Sequence, residues 1–103
     1  MSSNGVHSAL VGDELLVVLN GGFCGSAAPE LQRLLDATLS QRRVRVVIDL
    51  ARVTLIDDAG CAVIAATAHR MAALASPLTL MLPGGARREV ADAAAVRSLF
   101  EAA

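Results

Sequence analysis

The sequence has few cysteines and no excess of positive charge, and each shortage excludes a class of protein. Its two cysteines, Cys24 and Cys61, fit neither a disulfide framework nor a spaced metal motif, so we expect free thiols and no metal or cofactor. The net charge of −1 leaves no basic face for nucleic acid, so we expect no such partner. All of the basic residues are arginines, which we interpret as a bias of genomic composition.

Long hydrophobic runs are absent too. The most apolar stretch, residues 59–68, is far shorter than the roughly 20 residues that a membrane-spanning helix needs, and the polar pair His69-Arg70 ends it. Residues 1–7 have neither a basic start nor the apolar core of a signal peptide. We therefore expect a cytoplasmic protein that does not insert into membranes.

The sequence does contain enough apolar material for one hydrophobic core. Its 103 residues are a usual length for a single small domain, and 54% of them are hydrophobic. No internal repeat, linker or low-complexity segment divides the chain. We expect one domain over residues 1–103, with its folded core between about residues 6 and 100.

Alternation and helical periodicity predict the elements of the first half. Residues 6–11 and 15–19 predict two strands joined by a turn at Gly12-Asp13-Glu14. Apolar residues then recur at helical spacing over residues 31–39, and Ser26 is the expected N-cap of that helix. The β-branched run at residues 44–50 is typical of a central parallel strand that is covered on both faces.

The second half continues the alternation of helices and strands. A helix is predicted over residues 58–75 and a strand over residues 78–82. Pro83-Gly84-Gly85 ends that strand, and we expect a third helix over about residues 86–93, opened by the pair Arg87-Arg88. Residues 96–100 should then pack back onto the core. The order β-β-α-β-α-β-α predicts an α/β domain with a mixed sheet of four to five strands and three to four helices packed against it.

The most informative feature is Asp57-Asp58-Ala59-Gly60, which follows the hydrophobic strand. Aspartates are poor in helix interiors but good as caps, and their charge suits the positive end of a helix dipole, so the pair predicts a helix start. A cap alone would explain the pair. Paired carboxylates also suit acid–base catalysis or a divalent metal. However, no histidine, lysine or third carboxylate has matching spacing.

This strand and motif resemble the STAS domain, in particular the anti-sigma factor antagonists of bacteria. That family has Asp-Ser-Ser-Gly or Asp-Ser/Thr-Ala-Gly at the helix start, and a kinase-type anti-sigma factor phosphorylates the residue after the first aspartate. Asp58 occupies that position here. The resemblance therefore implies a STAS-like fold in which a permanent carboxylate replaces a reversible charge of about −1.5 to −2.

A second segment carries the same resemblance. Residues 21–31 are similar to the family pattern Gly-x-Leu-Asp-x-x-x-Ala-Pro-x-Leu, with matches at Gly21, Ala28, Pro29 and Leu31. Cys24 stands where the family usually has an acidic residue that faces its partner. With both segments included, the resemblance covers nearly the whole chain, from about residue 6 to residue 100.

The resemblance implies a protein that regulates transcription by binding a kinase-like anti-sigma factor, without catalysis. The partner-binding residues that it implies are Cys24, Gly25, Ser26, Asp57, Asp58, Ala59 and Gly60. Asp58 would either imitate the phosphorylated form or meet a partner surface that accepts a carboxylate. Phosphorylation of Ser26 or Thr54, a regulatory disulfide between the two cysteines and a weak homodimer all stay open.

Two further hypotheses belong to different functional classes. Family members with a similar Asp-x-Ala-Gly motif bind the ATPase of lipid-trafficking transporters, and Ala59 fits that subgroup better than a second serine would. The chain would then be an accessory subunit of an ABC transporter. An enzyme that acts through the paired carboxylates would lose turnover in the variant Asp57→Asn, and we expect no such activity.

Overall fold

Local sequence signals and the structure agree closely on the first half of the chain. The computed structural model describes residues 5–101. Strands β1 (Gly5–Val11) and β2 (Glu14–Phe23) form the predicted antiparallel hairpin. The turn consists of Gly12 and Asp13, and Gly12 has a φ of 62°, a left-handed conformation that glycine adopts without a steric penalty from Cβ. The predicted hairpin is therefore confirmed, with Glu14 in β2 and not in the turn.

The remaining elements alternate until the last strand. Helix α1 (Ala27–Leu39) precedes β3 (Arg45–Ile56), and helix α2 (Asp58–Ala73) precedes β4 (Leu78–Met81). Strand β5 (Arg87–Val90) and helix α3 (Ala93–Glu101) complete the described chain. The observed order is thus β-β-α-β-α-β-β-α.

The five strands form one mixed sheet in the order β1-β2-β3-β4-β5. Strands β2, β3 and β4 run parallel, while β1 and β5 pair antiparallel at the two edges. Helix α1 connects β2 to β3 and helix α2 connects β3 to β4, so both crossovers step the same way across the sheet. Right-handed connections then place both helices on one face. The predicted mixed sheet with three helices packed against it is confirmed.

The hydrophobic core lies between this face of the sheet and the helices. Alternate residues of β2 and β3 point into it, and each of the three helices contributes buried side chains. Its largest fully buried members include Leu19, Phe23, Leu31, Leu35, Ile48, Ile64, Met71 and Leu80. The predicted helical stripe of α1 is confirmed at Leu31 and Leu35, and Val96 of α3 also belongs to the core.

The prediction that β3 is covered on both faces is wrong. Val46, Ile48 and Leu50 belong to the core beneath the helices, but Val47 points to the other face and is not part of that core. Val47 is nevertheless only 4% exposed, because Leu16 of β2 and Thr79 of β4 are its direct neighbours across the sheet. A central position in the sheet therefore explains the unbroken hydrophobic run without a second layer of helices.

The predicted helix over residues 86–93 is also wrong. Strand β5 occupies this segment and pairs antiparallel with β4, with Met81 opposite Arg87 and Leu78 opposite Val90. The Pro83-Gly84-Gly85 sequence is a hairpin turn, in which Gly84 and Gly85 have φ angles of 89° and 88°. The amide of Leu82 donates a hydrogen bond to the carbonyl of Ala86 at 2.8 Å and closes the hairpin.

The third helix begins later, at Ala93. Its N-terminus is marked by Asp92, whose Oδ1 accepts a hydrogen bond from the amide of Ala95 at 2.8 Å. Arg87 and Arg88 therefore lie on an edge strand, where they do not oppose a helix dipole. No helix among residues 5–101 is both long and apolar enough to cross a bilayer.

Helix α2 ends two residues before its predicted boundary, in a left-handed turn. Leu74 is the C-cap, and the next residue, Ala75, has a φ of 59°. The amide of Ala75 donates to the carbonyl of Ala72, and the amide of Ser76 donates to the carbonyl of Met71, both at 3.0 Å. These two bonds form a Schellman motif, which satisfies the last carbonyl groups of the helix.

Candidate functional site

The motif lies where β3 ends and α2 begins, as the sequence predicts. Asp57 is the N-cap of α2 and has an extended backbone, with φ −99° and ψ 178°. Its Oδ1 accepts a hydrogen bond from the amide of Gly60 at 2.8 Å, which satisfies one of the free amides in the first turn. The prediction that Asp57 and Asp58 lie at a helix N-terminus is confirmed.

The second carboxylate oxygen of Asp57 reaches a different loop. Its Oδ2 accepts a hydrogen bond from the amide of Gly25 at 3.2 Å, and its own amide donates to the carbonyl of Phe23 at 3.4 Å. The amides of Gly60 and Gly25, in that order of effect, hold the pKa of Asp57 below its ordinary value. Asp57 is therefore ionised at neutral pH and joins the β2–α1 loop to the start of α2.

Gly60 allows the same two segments to approach closely. It is buried, and a Cβ atom at this position would lie 2.6 Å from the carbonyl oxygen of Phe23 and 2.8 Å from Cδ2 of its ring. Phe23 is only 1% exposed and cannot move away without disturbing the core. Gly60 therefore serves the packing of α2 against β2, and its burial keeps it from the surface.

Five other residues of the two segments form one surface at this end of the sheet. Asp58 and Ala59 are exposed in the first turn of α2, Gly25 and Ser26 are exposed in the loop, and Cys24 is half-buried. We call Cys24, Gly25, Ser26, Asp58 and Ala59 the motif surface. Ser26 occupies the predicted N-cap position of α1, but its hydroxyl caps nothing, because its own backbone is already helical, with φ −71° and ψ −13°.

A cleft of 670 Å³ adjoins the motif surface. Its lining from β3 and α2 consists of Ile56, Asp57, Asp58, Cys61, Ala62 and Ala65. Helix α3 adds Arg97, so the lining of the cleft includes one arginine as well as the exposed carboxylate of Asp58. The sequence-based prediction misses Arg97 because it places the third helix too early. The signal for the correct position is Asp92, a good N-cap residue directly before an alanine run.

The remaining residues singled out by the sequence lie near this end without completing a reactive site. Cys24 and Cys61 are free thiols and half-buried, and Thr54 is exposed within β3. In the described part of the chain, no three His, Cys, Asp or Glu side chains are grouped as a metal site requires. Both oxygens of Asp57 accept hydrogen bonds from backbone amides, which hold the carboxylate in its capping position.

Comparison with known proteins identifies the family. A family model described as "Mlab, STAS domain" matches residues 6–103, and the chain therefore belongs to this STAS domain family. The structure is similar to that of the anti-sigma factor antagonist SpoIIAA in its unphosphorylated form, with a TM-score of 0.67 and 15% sequence identity. That similarity covers 74% of this chain and 71% of SpoIIAA, and it shows that the two proteins share a fold. No curated protein matches the sequence.

Proposed function

We propose that the protein is a regulator that binds a partner protein through the motif surface and does not catalyse a reaction. The observation that carries this proposal is the double hydrogen bond of the Asp57 carboxylate, to Gly60 and to Gly25. It holds the β2–α1 loop beside the start of α2, so the exposed Asp58, Ala59 and Ser26 belong to one preformed surface. A preformed surface binds with little loss of conformational entropy.

We infer that the partner is a kinase-like anti-sigma factor. SpoIIAA is described as an anti-sigma factor antagonist with an unphosphorylated form, and it has the same fold as this chain. Asp58 is exposed at the helix start and has a carboxylate where the family places the phosphorylated hydroxyl. A carboxylate is smaller and less charged than a phosphate, so any imitation of the phosphorylated state is incomplete. Regulation at this position would be independent of a kinase.

A second candidate function is that of an accessory subunit that binds the ATPase of an ABC transporter. Two observations favour this function. The motif has the Asp-x-Ala-Gly form, with Ala59 exposed, and the position of the phosphorylated residue has no hydroxyl. The matching family model is described as Mlab and not as an anti-sigma factor antagonist. Both candidates use the motif surface, so they differ in the partner and not in the site.

Affinity capture from lysates of the native cells tests both candidates. The baits are the wild-type chain, Asp58→Ser, Asp58→Ala and Asp58→Arg, with Glu89→Arg as a matched charge reversal at an exposed position on β5. We expect a kinase-like anti-sigma factor that is lost with Asp58→Arg and retained with Glu89→Arg.

The serine bait then distinguishes the two alternatives for the Asp58 carboxylate. Stronger capture by Asp58→Ser than by the wild type would show that the carboxylate imitates the phosphorylated state, whereas equal capture would show a partner that accepts it. Capture of a transporter ATPase with the same sensitivity to Asp58→Arg would support the second candidate. A partner that binds all baits equally would contradict the proposed surface.

A further inference from the structure

A second concave region lies at the far end of β3 from the motif. A groove of 380 Å³ is lined by Asp13, by Leu39 at the end of α1, by residues 42–45, and by Met71 with residues 74–76 at the end of α2. We call it the basal groove. Because β3 begins at Arg45 and ends at Ile56 beside the motif, the basal groove and the motif surface occupy opposite ends of the domain and share no residue.

The rim of the basal groove is positively charged. Arg42, Arg43 and Arg45 face it with Asp13 as the one acidic lining residue in the described chain. Arg45 forms an ion pair with Asp13 at 3.1 Å, and Arg42 donates a hydrogen bond to the carbonyl of Gly12 at 3.4 Å. Within residues 5–99, whose two ion pairs are Arg45–Asp13 and Arg70–Asp36, Arg43 has no acidic partner.

The negative ends of the two helices neutralise only part of this positive charge. The C-terminal ends of α1 and α2 both point to the groove, and each helix end carries a partial charge of about −0.5. Two such ends offset about one of the three arginines, and Asp13 offsets another. A net positive charge remains, and Arg43 is its most accessible source because the side chain is exposed and unpaired within the described residues.

Exposed apolar side chains gather at the same end of the molecule. Among the described residues, four large hydrophobic side chains are exposed, and three of them, Leu10, Val11 and Leu74, lie here. Leu74 lines the groove and is 40% exposed. Leu10 and Val11 directly precede the Gly12–Asp13 turn, which is bonded to Arg42 and Arg45. Exposed apolar side chains beside arginines are typical of protein–protein contact surfaces.

We propose that the basal groove is a second docking surface, which takes an acidic amphipathic segment of a partner protein. The carboxylates of that segment would face Arg42, Arg43 and Arg45, and its apolar side chains would cover Leu74 and the floor at Leu39. A small anion would use the arginines but leave the leucines uncovered, which is why the observations favour a peptide. Together with the motif surface of the proposed function, the groove would give the domain one binding surface at each end of β3. This inference goes beyond the function proposed above and does not depend on it.

A titration of the isotope-labelled chain followed by NMR tests the proposal. The probe is a synthetic peptide of about 12 residues in which aspartate alternates with leucine. We expect amide shifts within residues 39–45 and 71–76 and none at residues 57–62. Arg43→Glu should weaken binding about tenfold, and Leu74→Ser should weaken it as well, while Arg88→Glu on β5 is the matched control and should stay within about twofold of the wild type. Both Arg43 and Leu74 are exposed, so these variants should fold normally.

Three results would overturn the inference. The first is a peptide titration that moves no amide in either segment. The second is equal binding of a control peptide with asparagine in place of aspartate, because the arginines would then play no part. The third is an identical shift pattern with inorganic phosphate alone, which would reduce the groove to a site for simple anions.

Discussion

The side-chain carboxylate of Asp57 accepts a hydrogen bond from the backbone amide of Gly25, 32 positions earlier in the chain. Its other oxygen bonds the amide of Gly60 within its own helix. One side chain therefore fixes both the first turn of α2 and the loop that precedes α1. A change in the backbone of either segment should therefore alter the hydrogen bonding of the other.

Substitution of Asp57 should separate its two structural roles. Asparagine keeps one oxygen, which can still cap Gly60, but its NH₂ group cannot accept a hydrogen bond from Gly25. We expect faster amide exchange at Gly25 in both Asp57→Asn and Asp57→Ala, and faster exchange at Gly60 in Asp57→Ala alone. The midpoint temperature of thermal unfolding should be highest in the wild type, lower in Asp57→Asn and lowest in Asp57→Ala. Unchanged exchange at Gly25 in both variants would show that the loop is held by other contacts.

Stability should fall in acid because two aspartates have lowered pKa values in the folded state. The amides of Gly60 and Gly25 lower the pKa of Asp57, and hydrogen bonds from Arg70 and then Gln32 lower the pKa of Asp36. Such groups stabilise the fold above their unfolded value of about 3.9, and the contribution is lost as the pH falls through the lower folded value. Unfolding midpoints measured from about pH 5 to pH 2 should therefore decrease, and the decrease should be smaller in Asp57→Asn. An equal decrease in that variant would contradict the assignment.

Addition of a methyl group at Gly60 should destabilise the protein although alanine favours helices. The new Cβ would lie 2.6 Å from the carbonyl oxygen of Phe23, so β2 or α2 must shift. We expect Gly60→Ala to lower the free energy of unfolding by about 1–3 kcal/mol in urea denaturation. The control is Ala66→Gly, at an exposed position in the same helix, which should cost about 1 kcal/mol through helix propensity alone. A gain in stability for Gly60→Ala would mean that the close approach is not maintained in solution.

The opposite substitution at the other end of α2 should stabilise the protein. Ala75 has a φ of 59°, a left-handed conformation in which a Cβ atom is strained and glycine is not. We expect Ala75→Gly to raise the free energy of unfolding by about 1 kcal/mol in the same urea experiment. Ala66→Gly, inside the helix, should lower it by about the same amount. If both glycine variants are destabilised equally, the left-handed cap is not the cause.

Local chemistry makes much of the site predictable. Asp57 is expected to be a cap from its residue type and its place after a strand, and the structure confirms that role. Its bond to Gly25 cannot be predicted from spacing, because it depends on how the parallel strands β2 and β3 align their ends. The burial of Gly60 depends on the same alignment. Residue types thus indicate the position of the motif, whereas tertiary packing decides which of its members are exposed.

The errors in the fold have the same origin. Pro83-Gly84-Gly85 correctly indicates the end of a strand, but the sequence alone does not tell a break from a hairpin turn. The segment that follows is strand β5 because β4 offers it an unpaired edge. Val47 is buried by its neighbours Leu16 and Thr79, and not by a second layer, which a single hydrophobic run cannot reveal. For Val47 the deciding neighbours are distant in sequence, whereas β5 is decided by pairing with the strand that directly precedes it.

The central claim is that the partner binds the motif surface, and amide hydrogen exchange of the captured complex tests it most directly. The amides of Asp58 and Ala59 lie in the first helical turn, where no intrahelical carbonyl is available to them, so they should exchange quickly in the free chain. We predict that the partner slows exchange at residues 24–26 and 58–62 and leaves β5 unchanged. Equal exchange at both segments in the free and bound states would contradict the account.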